Sequence, residues 1–410
     1  MKSKLLAGAI LALCAQLATA AETVKIASLD MLSGPLAGFG QSALKHWQFL
    51  ADKANTEGWA GDTKFEIVPF DTKMSPQEAL SLLQQVSAQN IRYVVQGASS
   101  SAVGIALEEA IEKHNQRNPG KEIVYLNYAS ATPVMTNEKC SYWHFRTDAN
   151  IDMKIKAMVT HMAADKTLKR VFMLNPNYAY GQDAARFARR YMMDMRPDVE
   201  IVGDDYHAMG QVKDFSPYIA KIMAAKADAL ITVAFGNDLA LMVRAANDAG
   251  MKDTSIYTVA GSSPGMGIAY GEPAVGRVKL VIGNNMNDER FGATKIATEY
   301  KQRFKEDFFF GAVHTGMRML SSAIREAKGS DPVAVARKLE GMKLDGLAGP
   351  VEMRKEDHQL QMPIYIDSWA KVDGKRVKLD QDGTGFGWRT DAIVPNAETS
   401  LPTTCAMKRP

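Results

Sequence analysis

Short apolar runs alternate with helical periods along most of the chain, and this alternation constrains the fold more than any other feature. The run TVKIASL predicts a strand, GQSALKHWQFLADKAN an amphipathic helix and KFEIVPF the next strand. The pattern begins again after about residue 147, where DMKIKAMVTHMAAD precedes RVFMLN. Strands that alternate with helices form parallel βαβ units. Since 410 residues are too many for one ordinary domain, the sequence predicts an α/β protein of two doubly wound parallel-sheet lobes.

The first twenty residues have the three parts of a secretory signal peptide. Lys2 and Lys4 precede the apolar run LLAGAILALCAQL, and the small residues ATA at 18–20 suit cleavage. Cys14 leaves a lipoprotein open, although the leucine before it is larger than the residue that normally precedes a lipidated cysteine. We expect cleavage after Ala20 and export of the mature chain. No later segment has the ~20 uninterrupted apolar residues of a membrane span.

Charge and cysteine count restrict the partners and the redox state. The formal net charge of +3 falls to +1 once the two lysines of the leader are removed, and the remaining charges are interspersed. We therefore expect neither a nucleic-acid partner nor insertion into a membrane. Cys140 and Cys405 remain after cleavage, and an even pair in an oxidising compartment favours a disulfide. Two unpaired buried thiols are the alternative.

Residues that follow the strands are the candidates for a binding site, because ligands of open parallel sheets bind beyond the carboxyl ends of the strands. Four such segments are 98–101, 129–132, 178–181 and 235–236. The first has three successive serines, residues 99–101, at the start of a helix. Hydroxyl and amide groups at a helix start bind anions. The alternative is that one of the serines only caps the helix.

The catalytic motifs that we tested are incomplete. GSSPG at residues 261–265 matches the G-x-S-x-G pattern with Ser263 at its centre, but Pro264 lacks the N–H that would contribute to an oxyanion hole. The seven histidines include no i, i+4 pair, and neither the dinucleotide glycine motif nor the phosphate loop is complete. We therefore expect a protein that binds a small molecule without reacting with it, and no metal or cofactor.

Seven motifs occur in order along the chain: LSGPLAGFGQS, PFDTKMSPQEAL, VVQGASSSA, YASATP, FRTD, NPNYAYGQD and KDFSPYI. Together they make the chain resemble the periplasmic solute-binding proteins of ABC importers of the branched-chain amino acid, or leucine-binding, type. The resemblance implies two α/β lobes joined by a three-stranded hinge, which close on a solute. It also implies a permease in the inner membrane as the partner.

The resemblance further implies which first-lobe residues bind the solute. Ser99 corresponds to the serine whose hydroxyl holds the ligand carboxylate. Thr132 and the backbone of Ser130 would complete that anion site. Phe39 occupies a position where an aromatic ring often covers the pocket.

In the second lobe, Tyr180 and Phe235 would form the facing wall. Gly261 begins the segment where the amino-acid binders have a glutamate that pairs with the ligand's ammonium group. Gly261-Ser262-Ser263 contains no acid, and a buried ammonium without a partner costs several kcal/mol. This disfavours α-amino acids unless another carboxylate, such as Asp238, substitutes. The solute stays open between an amino acid and an aromatic acid, amide or urea.

The resemblance also implies the domain limits. The first lobe would comprise residues 21–142 and 275–344, the second lobe residues 143–274 and 345–394, and a polar tail residues 395–410. Cys140 then lies near the first crossover, where a bridge to Cys405 would hold the tail. An exported enzyme acting on a small carboxylate and a ligand-presenting sensory protein are the alternative functions.

Overall fold

The computed structural model describes residues 22–410, so the predicted signal peptide and Cys14 lie outside the described residues. Within that range, no helix combines the length and the apolar character needed to cross a membrane. The strands are β1 (Thr23–Asp30), β2 (Lys64–Asp71), β3 (Tyr93–Gln96), β4 (Val124–Asn127), β5 (His144–Arg146), β6 (Arg170–Pro176), β7 (Glu200–His207), β8 (Ala229–Thr232), β9 (Ser255–Thr258), β10 (Val278–Ile282), β11 (Lys343–Gly346), β12 (Gly349–Met353), β13 (Leu360–Gln361), β14 (Ile364–Lys371) and β15 (Phe386–Val394).

Most helices lie between successive strands, as the alternation predicts, and two 3₁₀ turns supplement them at Pro133–Thr136 and Glu272–Ala274. The helices are α1 (Ala37–Glu57), α2 (Pro76–Ala88), α3 (Ser101–Arg117), α4 (Ile151–Ala164), α5 (Ala179–Met195), α6 (Ser216–Ala224), α7 (Gly236–Asp248), α8 (Met266–Tyr270), α9 (Ala293–Phe304), α10 (Gly311–Ala327), α11 (Pro332–Leu339) and α12 (Asn396–Thr399).

The first lobe is built on a five-stranded sheet in the order β2-β1-β3-β4-β5. All of its strand pairs are parallel. Ile26, Val94 and Leu126 are fully buried, as expected for a parallel sheet covered on both faces by helices. Helix α10 packs on α1 and α11, and Tyr300 of α9 contacts Phe49 of α1 with 5.3 Å between ring centroids. Helices α9 to α11 therefore belong to this lobe.

The second lobe is built on a seven-stranded sheet in the order β15-β14-β10-β9-β8-β6-β7. Its pairs from β7 to β10 are parallel, whereas β14 pairs antiparallel with both β10 and β15. Helices α4 to α8 pack on this sheet or on one another. The predicted class of two doubly wound α/β lobes is confirmed, with an antiparallel edge added to the second sheet.

Strand pairing moves the crossovers between the lobes relative to the predicted limits. Strand β5 pairs with β4, so the first sheet continues past residue 142 to Arg146. Strand β10 pairs with β9 and β14 in the second sheet, although the predicted limits placed residues 275–344 in the first lobe. The apolar run VKLVI marks a strand, but its place in a sheet depends on partners distant in sequence. A small separate sheet, β11-β12-β13, then precedes β14.

The three connections between the lobes run side by side. They pass through Asp148 after β5, Gly283 after β10 and Met362 before β14. A Cβ atom at Gly283 would lie 2.4 Å from Met362 Cε and 3.4 Å from Asp148 Oδ1, which shows how closely the segments approach. These connections form the hinge of the structure.

The predicted disulfide between Cys140 and Cys405 is present, with a Cα–Cα distance of 5.6 Å and a sequence separation of 265. The tail leaves β15 of the second lobe through α12, which packs on α4, and then reaches the first lobe. There Thr403 Oγ1 donates to the Thr136 carbonyl at 2.9 Å, and Arg409 Nε donates to Glu340 Oε1 at 2.7 Å. The tail therefore lies against both lobes.

Candidate functional site

A cavity of about 110 Å³ lies between the two lobes at the hinge. This volume is well above the roughly 10–15 Å³ that a single water needs. The walls come from the ends of strands in both lobes and from the hinge connections. Five of the predicted site residues line it, namely Phe39, Ser99, Ser130, Tyr180 and Phe235.

The loop after β3 carries the first-lobe wall and is held by a buried carboxylate. Asp30 Oδ1 accepts the Gly97 N–H at 3.1 Å, and Asp30 Oδ2 accepts the Ser28 hydroxyl at 2.9 Å. Burial raises the pKa of Asp30 to about 6, against the opposing effect of these hydrogen bonds. A side chain at Gly97 would collide with the Ala129 nitrogen at 2.5 Å. The loop therefore requires glycine where it passes the segment after β4.

The three serines of this loop have different roles. Ser100 is the N-cap of α3, because its hydroxyl accepts the Val103 N–H at 3.3 Å. Ser99 and Ser101 line the cavity, and Ser99 Oγ lies 3.2 Å from Thr72 Oγ1. The N–H groups of the first residues of a helix have no partner within that helix. The Ser99 hydroxyl and the start of α3 together form a wall that suits an anion.

Ser130 and Thr132 are already engaged within the protein. Ser130 lines the cavity, but its hydroxyl donates to Gln96 Oε1 at 3.0 Å and its N–H to Asn127 Oδ1 at 2.8 Å. Thr132 is buried outside the cavity wall, and its hydroxyl donates to Asp183 Oδ2 at 3.2 Å. Because Asp183 is in α5, this bond joins the two lobes. Thr132, predicted as a solute contact, is therefore not one of the residues that line the cavity.

Aromatic rings from both lobes cover the cavity. The ring centroids of Phe39 and Phe235 are 5.8 Å apart, so the lobes contact each other above the site. Phe310 meets Phe39 edge to face at 4.7 Å, and Tyr178 and Tyr180 lie 5.9 Å apart on the second lobe. Phe309 and Phe310, which also line the cavity, are not among the predicted site residues. The sequence feature that could have indicated them is the run FFFG at residues 308–311, where a loop meets the start of α10, as at the other cavity-lining loops.

Gly261 and Asp238 lie away from the cavity wall. The Gly261 carbonyl accepts a hydrogen bond from the Tyr270 hydroxyl at 2.9 Å. A Cβ atom at position 261 would lie 2.7 Å from the Tyr270 hydroxyl oxygen. Gly261 therefore faces the second-lobe core, while its neighbours Ala260 and Ser262 line the cavity. Asp238 is buried and accepts the Gly210 N–H at 2.8 Å. Neither Gly261 nor Asp238 is one of the residues that line the cavity.

A charged pair outside the predicted site residues lines the cavity at the hinge. Lys154 Nζ, from α4, lies 2.6 Å from Asp148 Oδ2, from the first connection. Their side chains are only 10% and 15% exposed. Asp148 belongs to the motif FRTD, but nothing in that motif indicates that the carboxylate faces the solute. The site therefore contains a carboxylate, although that carboxylate already has a cationic partner.

The sequence profile of the family described as periplasmic binding protein matches residues 23–375. The chain belongs to this family. The family consists of solute-binding proteins of the ABC-transporter type, and membership implies a periplasmic location. A relative in Brucella abortus (strain 2308), Leu/Ile/Val-binding protein homolog 4, is 28% identical over 98% of this chain and 97% of its own length.

Solved structures agree with this membership. The closed conformation of a leucine-, isoleucine-, valine-, threonine- and alanine-binding protein from Brucella ovis has a TM-score of 0.83 and 28% identity, and the match covers 95% of this chain and all of that one. A solute-binding protein of an ABC transporter from Rhodopseudomonas palustris BisB5, in complex with 3,4-dihydroxybenzoic acid, has a TM-score of 0.76 at 18% identity. That match covers 91% of this periplasmic binding protein and 98% of the R. palustris chain, and it shows the fold alone.

Proposed function

We propose that this chain is the periplasmic substrate-binding component of an ABC importer of the branched-chain amino acid type. It captures a small carboxylate-bearing solute between its lobes and delivers it to a permease in the inner membrane. The observation that carries the proposal is the cavity itself. Its first-lobe wall presents the Ser99 hydroxyl and the start of α3, and its other walls are mainly apolar, with six aromatic rings among them. Such a site binds an anionic head and an apolar body.

Hinge closure supplies the mechanism of capture. The solute first contacts the first lobe at Ser99, and the second lobe then closes with Tyr180 and Phe235 over it. A ligand shifts the balance between open and closed forms only through contacts that differ between them. The contacts with Tyr180 and Phe235 exist only when the lobes are closed, so these contacts drive closure.

The solute class lies between amino acids and aromatic acids. The Brucella relatives named above support an amino acid. The rings of Phe39, Tyr178, Tyr180 and Phe235 on the cavity wall favour a flat apolar body, because aromatic groups stack with offset geometry. A carboxylate is the feature that both classes share, and the Ser99 wall is the part of the site that would recognise it.

Replacing Ser99 by alanine tests the carboxylate site. A hydrogen bond to a charged group contributes roughly 1.5–3 kcal/mol, so we expect the solute affinity to fall by about 10- to 100-fold. The solute is first found by thermal shift with leucine, phenylalanine, benzoate and 4-hydroxybenzoate, since a ligand that binds only the folded state raises Tm, and raises it further as its concentration exceeds Kd. Calorimetry then gives Kd for both proteins.

Ser100→Ala is the matched control for this measurement. Ser100 caps α3 one residue further along the chain, and loss of an N-cap costs about 1 kcal/mol of stability. We expect S100A to lower Tm while affinity stays within a few-fold. Unchanged affinity in S99A would place the carboxylate elsewhere in the cavity.

Thr132 tests closure separately from solute contact. Thr132→Val and Asp183→Ala each remove the hydrogen bond between the lobes, which we expect to weaken solute affinity by roughly 2- to 10-fold, equivalent to the 0.5–1.5 kcal/mol of one hydrogen bond. The double variant should be no weaker than either single variant, because all three lose the same bond. Additive losses in calorimetric Kd would show that Thr132 acts by another route, such as direct contact with the carboxylate.

A further inference from the structure

Lys154 is a buried cation whose hydrogen-bonding capacity is largely unused. An ammonium group has three donors. Within residues 22–410, Lys154 Nζ has one hydrogen-bond partner, Asp148 Oδ2 at 2.6 Å. The residue is 8% exposed and lines the cavity. Two donors therefore remain for a group that occupies the cavity.

Asp148 has less free capacity than Lys154. Its Oδ2 accepts from Lys154, and its Oδ1 accepts the Ala149 N–H at 2.8 Å. The pair as a whole is neutral and presents mainly N–H donors to the cavity. A buried donor without a partner costs roughly 1–3 kcal/mol, so an acceptor on the solute would relieve that cost.

The charge balance around the pair indicates which acceptor fits. Asp148 already neutralises Lys154, and charges interact strongly in a site shielded from water. A second full anion at this point would leave two carboxylates with one ammonium. A neutral oxygen, from a hydroxyl or a carbonyl, can accept from Lys154 without adding charge.

The position of the pair links it to the hinge. Asp148 lies on the first connection between the lobes, and its Oδ1 would be 3.4 Å from a Cβ atom at Gly283 on the second connection. Lys154 lies on α4 of the second lobe, whereas Ser99 lies on the first lobe. A solute that contacts Ser99 and Lys154 therefore joins the two lobes directly.

We propose that Lys154 forms a second polar recognition point, and that the solute carries a neutral hydrogen-bond acceptor, a hydroxyl or carbonyl oxygen, in addition to its carboxylate. Asp148 is the positioning residue that holds the ammonium group towards the cavity. This inference rests on the proposed function and specifies its substrate class. The protein selects carboxylates with a polar group away from the acid and discriminates against purely apolar ones.

Matched pairs of probes test the inference. Valine and threonine differ by a methyl against a hydroxyl group, and benzoate and 4-hydroxybenzoate differ by one hydroxyl. Calorimetric Kd values are measured for the wild type, for Lys154→Met, and for the uncharged double variant D148N/K154M, with Tm showing that each variant is folded. We expect the wild type to bind the hydroxylated member of at least one pair ten-fold or more tightly, and both variants to reduce that ratio to within about two-fold.

The outcomes separate this inference from the proposed function. The wild type could bind the probes without preferring a hydroxyl, or its preference could survive in D148N/K154M. Either result would overturn the role of Lys154 and leave the proposed function standing. If K154M abolished both members of a pair while S99A bound normally, Lys154 would hold the carboxylate itself, and the inference would be wrong. Failure of these four probes, and of leucine and phenylalanine, to bind would overturn the inference and the proposed solute class together.

Discussion

Replacing both cysteines, C140S/C405S, is expected to lower the free energy of unfolding by about 4–5 kcal/mol. The bridge connects positions 265 residues apart. In loop-entropy models, a covalent link across so long a loop removes a large part of the conformational freedom of the unfolded chain. The measurement is urea unfolding at equilibrium, followed by the near-ultraviolet signal of the tryptophans.

Two comparisons make the disulfide prediction specific. Reduced wild-type protein should unfold at the same urea concentration as C140S/C405S, because the two share the loss of the link. Intact mass of the oxidised protein after alkylation should show no free thiol. A difference in unfolding free energy below about 1 kcal/mol would contradict the prediction, because it would show that the bridge restricts the unfolded chain far less than loop-entropy models require.

Asp367→Asn is expected to raise the free energy of unfolding at pH 8 by roughly 2–4 kcal/mol. Asp367 lies in β14, where it is fully buried between Leu280 of β10 and Thr390 of β15. Its carboxylate oxygens accept no well-formed hydrogen bond within residues 22–410, because Asn285 Nδ2 donates instead to Trp388 O and Thr390 Oγ1. Burial raises the pKa of Asp367 to about 7.

The sign of the pH dependence follows from the raised pKa. The unfolded carboxyl ionises near 3.8 and the folded one near 7, so the folded state binds more protons between these values. Stability therefore decreases as pH rises through this window. Asparagine cannot ionise, so its advantage over aspartate should be large at pH 8 and should shrink towards pH 5.

Asp391→Asn is the control of opposite sign. Asp391 lies on the adjacent strand, and its Oδ2 lies 3.0 Å from Lys279 Nζ. Burial raises the pKa of Asp391, but the hydrogen bonds from Ser368 and Lys279 exceed that effect and lower it overall. We expect D391N to destabilise the protein at pH 8. Thermal unfolding of both variants is measured at pH 5 and pH 8. A D367N protein less stable than the wild type at pH 8 would contradict the prediction for Asp367.

The parts of the fold and site that depend on local pattern could be predicted from the sequence. Alternation of strands and helices predicts the two lobes, and the ends of strands indicate Ser99, Tyr180 and Phe235, which all line the cavity. Whether a residue beside such an end faces the solute depends on its neighbours in space. Thr132 does not line the cavity, and its hydroxyl donates to Asp183, 51 positions away in the chain.

The charged part of the site could not be predicted for a related reason. Lys154 looks like one more polar position on an amphipathic helix, and Asp148 looks like a residue of a turn. Their role depends on the hinge connections, which bring Asp148 next to Gly283 and Met362. The same limit explains the shifted lobe boundary at β10, because pairing with β14 joins segments more than 80 residues apart.

The C-terminal segment has a mechanical consequence for the molecule. Residues 395–404 run from β15, in the second lobe, to the covalent anchor at Cys140, in the first lobe. This segment is thus a fourth covalent connection between the lobes, in addition to the three hinge connections. Its ten residues limit how far the lobes can separate in the open form. Reduction of the disulfide should therefore permit a wider opening without changing the residues that contact the solute.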